Sequence, residues 1–154
     1  ALVGLMAVIV QGLILKPVIA RLGERRTIVL GLTVSMLAFL GYGIASKGWI
    51  VLIIIIVGSL SGVALPAIQG LVAGAINPSE QGAVQGALTS LISLTSVFAP
   101  LIFTAGLFSF FTSDQTPVLL PGAPFYLGSL LILISLIVLR RIFHVLPSGS
   151  FRET

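Results

Sequence analysis

The stretch from Ile50 to Ala73 reads IVLIIIIVGSLSGVALPAIQGLVA and contains no charged residue. It includes the run Ile53-Ile-Ile-Ile-Val57, and β-branched residues of this kind favour strands in water. The stretch is too long for a strand, however, and a segment in lipid must satisfy its backbone polar groups internally, as a helix does. We therefore predict a transmembrane helix here.

The composition of the whole chain agrees with a membrane setting. Hydrophobic residues make up 57% of the 154 residues and charged residues 8%, and the mean hydropathy is +1.22. A soluble domain carries roughly a quarter charged residues. Since so few charges cannot cover a water-facing surface, we expect the lipid bilayer to be the main partner of an all-α, polytopic transmembrane helical bundle.

Four further apolar stretches lie on either side of this helix. The predicted spans cover about 1–20, 27–45, 50–73, 81–111 and 123–139. They form a membrane domain over 1–141, followed by a cytoplasmic tail over 142–154. We expect the segment from Arg21 to Arg26 to be a tight charged loop, Asn77-Pro-Ser-Glu80 to be a turn, and the residues from Thr112 to Gly122 to be a loop.

Basic residues are distributed unequally between the two sides of the predicted membrane domain. Lys47 is the only one on its side, and the other side holds Lys16, Arg21, Arg25, Arg26, Arg140, Arg141 and Arg152. Because cytoplasmic loops retain positive charge, we predict a cytoplasmic C-terminus. The net charge of +4 therefore reflects topology, and no nucleic-acid partner is expected. An odd number of spans would put Ala1 outside, which suggests a truncated start.

Residue types that carry covalent or acid–base chemistry are absent from the predicted spans. The chain has no cysteine, which excludes disulfides, thiolate metal sites and a cysteine nucleophile. The carboxylates Glu24, Glu80, Asp114 and Glu153 fall in predicted loops or the tail, as does His144. We therefore predict no catalytic residue, no metal site and no cofactor, which argues against a membrane enzyme.

Neutral polar residues in the spans follow helical spacing. On the fourth span Gln85, Thr89, Ser93, Ser96 and Pro100 recur at steps of three or four, which places them on one face. The third span has a similar row of Gly58, Gly62, Pro66, Gln69 and Gly70.

Two interpretations of these rows are open. Small residues and hydroxyls commonly serve helix packing in membranes. Alternatively, the polar faces line a substrate cavity, because a buried Gln amide needs a partner, water or substrate. The candidates for lining a substrate cavity are Gln11, Gln69, Gln85, Thr89, Ser93 and Ser96. Pro66 and Pro100 are candidates for helix bending or gating, and simple packing is the alternative for both.

The segment Lys16-Pro-Val-Ile-Ala-Arg-Leu-Gly-Glu-Arg-Arg26 resembles the second copy of the signature loop of major facilitator transporters. Arg21, Gly23 and Arg25 match that pattern, whereas Lys16, Ala20 and Glu24 replace its usual Gly, Asp and basic residue. The candidate loop motif therefore comprises Arg21, Gly23, Glu24, Arg25 and Arg26. These charges either anchor the topology or form a latch with helix ends.

Further motifs are similar to the tetracycline-resistance branch of drug:proton antiporters. They are Leu65-Pro-Ala-Ile-Gln69, Glu80-Gln-Gly-Ala-Val-Gln-Gly86, Leu94-Thr-Ser-Val-Phe-Ala-Pro-Leu101 and Pro121-Gly-Ala-Pro-Phe125. The resemblance implies that the five spans correspond to helices eight to twelve of a twelve-helix transporter, with an N-terminal half of the same transporter as partner. Tetracycline-specific members carry a His in helix eight and an Asp in helix nine, and the matching places here are Ala7 and Ser35.

The resemblance implies a function as well. We expect secondary-active, proton-coupled export of small amphipathic drugs, tetracycline-like or multidrug, by a transporter of which this chain is a C-terminal fragment. Since no carboxylate falls in a predicted span, a coupling acid would lie in the other half. The alternatives are uptake or export of another small solute by a major facilitator carrier, or a membrane assembly subunit that transports nothing.

Overall fold

A computed structural model describes residues 1–112 and 122–145, and all of its regular structure is helical. The α-helices are α1 (Leu2–Ile9), α2 (Leu15–Ile44), α3 (Gly48–Gly58), α4 (Ala64–Gly74), α5 (Gln81–Pro100), α6 (Ser109–Thr112) and α7 (Ala123–Val145). Three segments of other helical types connect some of them: a π-helix at Val10–Ile14, a 3₁₀-helix at Ser59–Val63 and a π-helix at Leu101–Phe108.

Four of the resulting continuous helical stretches are long and apolar enough to cross a membrane. They are Leu2–Ile44, Gly48–Gly74, Gln81–Phe111 and Ala123–Val145. The first has 43 residues, which at 1.5 Å per residue is about twice the ~30 Å thickness of the hydrocarbon layer. Leu2–Ile44 is therefore long enough for two spans, and the prediction of an all-α polytopic bundle of about five helices is confirmed.

Gly23 is the point at which Leu2–Ile44 divides. Its backbone has φ 76° and ψ 163°, whereas the residues on both sides are helical. Ala7, before the break, and Ser35, after it, line one cavity, so the chain must fold back on itself at Gly23. The prediction of a tight loop from Arg21 to Arg26 is thus wrong in extent, because one glycine with positive φ makes the break and its neighbours stay helical.

The core lies where α2 packs against α7 and α4. On the α7 side, the Ser129 hydroxyl donates to the Met36 carbonyl at 3.2 Å. On the α4 side, a Cβ added to Gly31 would lie 2.8 Å from the Ala64 Cβ. Small residues and hydroxyls at the contact let the helix backbones approach closely, as is usual where helices pack inside a membrane.

Helix α5 stands apart from this core. None of its residues is buried, and its only substantial contact with another described element is with the π-helix Leu101–Phe108 that continues it. That π-helix in turn contacts α7. At the other end of α5, the Gln81 side-chain amide donates to the Ala73 carbonyl of α4 at 3.1 Å. The fourth span is therefore connected to the bundle near its two ends and not along its length.

The local helix type changes next to prolines. The 3₁₀-helix Ser59–Val63 immediately precedes the first turn of α4, which contains Pro66, and the π-helix Leu101–Phe108 begins directly after Pro100. A proline has no N–H to donate to the carbonyl four residues earlier, so the α-helical hydrogen-bond ladder is interrupted there.

The predicted connections are described in part. The predicted turn at Asn77-Pro-Ser-Glu80 is confirmed by a hydrogen bond of 2.9 Å from the Glu80 N–H to the Asn77 carbonyl. In the predicted loop from Thr112 to Gly122, residues 113–121 lie outside the described part, including Asp114. Helix α7 continues to Val145, past residue 141, and tail residues 146–154 also lie outside it.

Candidate functional site

A cavity of about 300 Å³ lies between the two arms of Leu2–Ile44 and the helix that begins with α3. Its lining residues are Val3, Ala7, Val10, Gln11, Ser35, Ala38, Phe39, Tyr42, Ile55, Gly58, Ser59, Ser61 and Gly62. We call it the central cavity. Its volume is at the lower end of the ~300–1,000 Å³ typical of small-molecule sites.

The polar side chains of the central cavity are all uncharged. They are Gln11, Ser35, Tyr42, Ser59 and Ser61. The Ser59 hydroxyl already donates to the Ile56 carbonyl at 2.6 Å, which leaves its oxygen as an acceptor. The cavity therefore offers hydrogen-bond donors and acceptors without a fixed charge.

Gln11 of the central cavity lies in an irregular segment of helix. It lies in the π-helix Val10–Ile14, and such wide turns re-aim side chains and are frequent at functional sites. Pro17 lies within one turn of the end of this π-helix and has no N–H to donate to the Leu13 carbonyl. The missing hydrogen bond is compatible with the irregular geometry of the segment. The Gln11 side chain is solvent-accessible along the cavity wall, and its amide can donate and accept at once.

Aromatic rings close one side of the central cavity. Phe39 and Tyr42 of α2 form a cluster with Phe125 of α7, with ring centroids 5.6 Å apart for Tyr42 and Phe125 and 6.3 Å for Phe39 and Phe125. Phe39 also lines a second cavity of about 380 Å³, together with Phe103, Thr104, Phe108, Pro124 and Phe125. A flat apolar ligand therefore has aromatic faces to stack on beside the polar groups.

The other predicted cavity residues lie elsewhere. Gln69 is half-buried on α4 and does not line the central cavity. Gln85 is half-buried on α5, and Thr89, Ser93 and Ser96 are exposed on the same helix. The Thr89 hydroxyl donates to the Gln85 carbonyl at 2.9 Å and the Ser96 hydroxyl to the Ile92 carbonyl at 2.8 Å.

The structure thus brings only Gln11 of the six candidates into the central cavity. The Thr89 and Ser96 hydroxyls bond within their own helix, so these two side chains have no need of a partner from another span. Cavity lining by Gln69 and by the α5 face stays a prediction, as does bending or gating at Pro66 and Pro100.

The loop-motif residues lie where α2 meets other helices. Arg21 and Arg26 are exposed, and the Glu24 carboxylate packs against Gly70 of α4, where an added Cβ would lie 2.9 Å from Glu24 Oε1. Arg25 donates to the Phe143 carbonyl at 3.5 Å, and its guanidinium lies 5.2 Å from the Phe143 ring centroid. Phe143 is in the last turn of α7, where carbonyls lack intrahelical partners. Both a topology anchor and a latch are compatible with these contacts.

Four polar residues of the central cavity are not among the candidates that the sequence suggests: Ser35, Tyr42, Ser59 and Ser61. Tyr42 lies seven residues after Ser35, which puts both on one face of α2. Ser59 and Ser61 adjoin Gly58 and Gly62, which belong to the row of residues at helical spacing on the third span. Helical spacing shows which residues share a face, but it does not indicate which face packs against another helix.

Within 1–112 and 122–145, no group of three or more His, Cys, Asp or Glu side chains is close enough to hold a metal ion.

Comparison with known proteins places the chain in a family. The sequence pattern of the Major Facilitator Superfamily matches residues 1–153. The chain is 37% identical over 135 residues to tetracycline resistance protein, class G, of Vibrio anguillarum, which covers 88% of this chain and 33% of that protein. It is 30% identical over 105 residues to tetracycline resistance protein, class C, of Escherichia coli, covering 68% of this chain and 26% of that protein.

An animal protein is similar as well. Hippocampus abundant transcript-like protein 1 of Mus musculus is 27% identical over 151 residues, covering 90% of this chain and 30% of that protein. The chain thus spans about a third of the length of the curated relatives it matches. No solved structure gives a significant match. The match along nearly the whole chain, on an all-helical membrane bundle, identifies this chain as a member of the Major Facilitator Superfamily.

Proposed function

We propose that this chain is a C-terminal fragment, comprising most of the second half, of a secondary-active transporter that exports small amphipathic drugs in exchange for protons. The observation that carries the proposal is the central cavity, in which uncharged hydrogen-bonding groups face aromatic rings between transmembrane helices. Transporter sites lie near the middle of the bilayer at the junction of two halves, which rock about the site. In this proposal, the N-terminal half of the same transporter forms the opposite side of the substrate site.

Two residues that differ from those of tetracycline-specific members support the central cavity as the substrate site. Ala7 and Ser35, which correspond to the His and Asp of tetracycline-specific members, both line the central cavity. In this chain the two places hold a methyl group and a hydroxyl. A cavity without those charged groups suits neutral and weakly charged amphipathic compounds, so the proposed range extends beyond tetracycline.

Proton coupling is proposed to reside in the N-terminal half. A coupling group must titrate and be wetted from alternate sides, and neither of the described carboxylates, Glu24 and Glu80, lines the central cavity. The proposed location is a bacterial inner membrane with the C-terminus in the cytoplasm. Transport by rocking halves requires no bond-making chemistry, and the proposal assigns no enzymatic activity.

A second candidate function is carriage of another small solute. The relative from Mus musculus is not named for a drug, and the tetracycline resistance proteins of Vibrio anguillarum and Escherichia coli are 37% and 30% identical to this chain. An uncharged cavity of about 300 Å³ also suits a neutral metabolite.

Transport by the purified full-length protein in proteoliposomes tests the proposal. A pH gradient is imposed, and the flux of a panel of amphipathic drugs, tetracycline included, is measured with and without a protonophore. The proposal predicts a saturable flux of at least one drug that stops when the gradient collapses. Gradient-driven flux of a polar solute with no drug flux would favour the second candidate, and flux that never saturates would contradict both.

A further inference from the structure

A basic pocket of about 570 Å³ opens at the end of the bundle where α2 begins its second arm and α7 ends. Its lining residues are Arg25, Arg26, Val29, Leu30, Arg140, Phe143 and His144. We call it the α2–α7 pocket. It has no part in the central cavity and shares no residue with it.

The charge in the α2–α7 pocket is of one sign. Three arginines and a histidine line it, and among the described residues no carboxylate does. Glu24 is adjacent to Arg25 in sequence, but its carboxylate packs against Gly70 on α4. Guanidinium groups gathered in this way favour an anion with several acceptor oxygens, because the planar fork matches phosphate geometry.

The rest of the pocket wall is apolar. Val29 and Leu30 lie one turn from Arg25 and Arg26 along α2, towards the middle of the span, and Phe143 faces them from α7. On the other side of Phe143, a separate apolar cavity of about 210 Å³ is lined by Ile28, Ile68, Leu71, Val72, Ala75, Leu139, Ile142 and Phe143. The charged rim of the α2–α7 pocket therefore adjoins an apolar wall formed by Val29, Leu30 and Phe143.

Phe143 is held in place at the junction of the two regions. The Arg25 guanidinium lies over its ring at 5.2 Å and donates to its backbone carbonyl at 3.5 Å. Arg26 and Arg140 are exposed at the rim, one from each helix. The pocket lining thus includes one exposed guanidinium from each of the two helices.

We propose that the α2–α7 pocket binds the phosphodiester headgroup of an anionic phospholipid, with Arg26 and Arg140 at the phosphate and the lipid's upper chain carbons against Val29, Leu30 and Phe143. Basic pockets between transmembrane helices at the cytoplasmic side bind such headgroups. The lipid is favoured over a free anion because the charged rim lies at the end of two membrane-spanning helices and opens onto apolar wall.

Native mass spectrometry of the purified full-length protein tests this, with phosphatidylglycerol as the anionic probe and phosphatidylcholine as the neutral one. The variant removes both rim charges, Arg26→Gln with Arg140→Gln. The matched control is Arg21→Gln with Arg141→Gln, which removes the same charge from exposed neighbours that do not line the pocket. A third variant, Arg26→Lys with Arg140→Lys, keeps the charge.

The proposal predicts preferential binding of phosphatidylglycerol to the wild type. At roughly a fivefold loss for each basic group, the double Gln variant should bind it about 25-fold more weakly. The control should change by about twofold or less, since diffuse surface attraction falls within a Debye length. The Lys variant should retain most of the binding, and its folding is checked by thermal unfolding in phosphatidylcholine.

Three outcomes would overturn the proposal. Equal losses in the pocket variant and the control would mean that only general surface charge attracts the lipid. Equal binding of phosphatidylglycerol and phosphatidylcholine would remove the headgroup preference. Competition by inorganic phosphate at the same concentration as the lipid would assign the pocket to a free anion. None of these readouts measures transport, so failure here leaves the proposed function untouched.

Discussion

The Tyr126 hydroxyl of α7 donates a hydrogen bond of 2.9 Å to the backbone carbonyl of Gly43 near the end of α2. This contact requires a glycine at residue 43. An added Cβ there would lie 2.6 Å from the Tyr126 ring. A Cβ added to Gly128 on α7 would likewise lie 2.6 Å from the Phe39 ring of α2. The contact between α2 and α7, which we call the α2–α7 seam, therefore depends on glycines that leave room for aromatic rings and on a part-buried hydrogen bond between the helices.

Tyr126→Phe should destabilise the protein by about 0.6 kcal/mol and by no more than about 1.7 kcal/mol, the range found for hydrogen bonds between membrane helices. The measurement is equilibrium unfolding of the full-length protein in mixed micelles. Tyr42→Phe is the matched control, because its hydroxyl has no hydrogen-bond partner among the described residues, and it should change stability by less than about 0.5 kcal/mol. A larger loss for Tyr42→Phe than for Tyr126→Phe would argue against the seam.

Gly31→Ala should lower the free energy of unfolding by about 1–3 kcal/mol through overpacking. The new methyl group would lie 2.8 Å from the Ala64 Cβ and 3.1 Å from its backbone nitrogen, so α2 and α4 would have to move apart. Gly74→Ala on α4 is the control, since nothing lies within 4 Å of its added Cβ. The same unfolding assay should give an unchanged or slightly higher stability for Gly74→Ala. Equal effects would mean that the close approach is absent in the membrane.

Gly23→Ala should cost about 1–3 kcal/mol of stability, because φ 76° with ψ 163° belongs to a region that only glycine adopts readily. Its surroundings are open, with nothing within 4 Å of an added Cβ, so strain in the backbone is the sole cause. Gly4→Ala has equally open surroundings and helical backbone. Unfolding should detect a loss for Gly23→Ala alone, and protease accessibility near Arg21 should rise with it.

Hydropathy was sufficient to predict the helical class and the approximate positions of the spans. It did not predict that Gly23 alone separates the first two spans. Charged residues at the end of a helix give the same hydropathy signal as charged residues in a loop. Nor did it predict that Tyr42 and Gln11 line the same cavity while Thr89 is exposed on α5. In lipid, apolar side chains are equally suited to a helix contact and to the bilayer, so periodicity leaves the partner of each face open.

The central claim is that the cavity holding Gln11 is the substrate site. Proton-dependent efflux from cells that express the full-length protein should test it most directly, with Gln11→Leu beside Gln69→Leu at equal protein levels. Loss of an amide that bonds a buried substrate costs about 1–3 kcal/mol, so efflux at low substrate concentration should fall about tenfold for Gln11→Leu. Gln69 lies outside the cavity, and Gln69→Leu should retain efflux. Unchanged efflux with Gln11→Leu, together with loss of efflux with Gln69→Leu, would contradict the assignment of the central cavity as the substrate site.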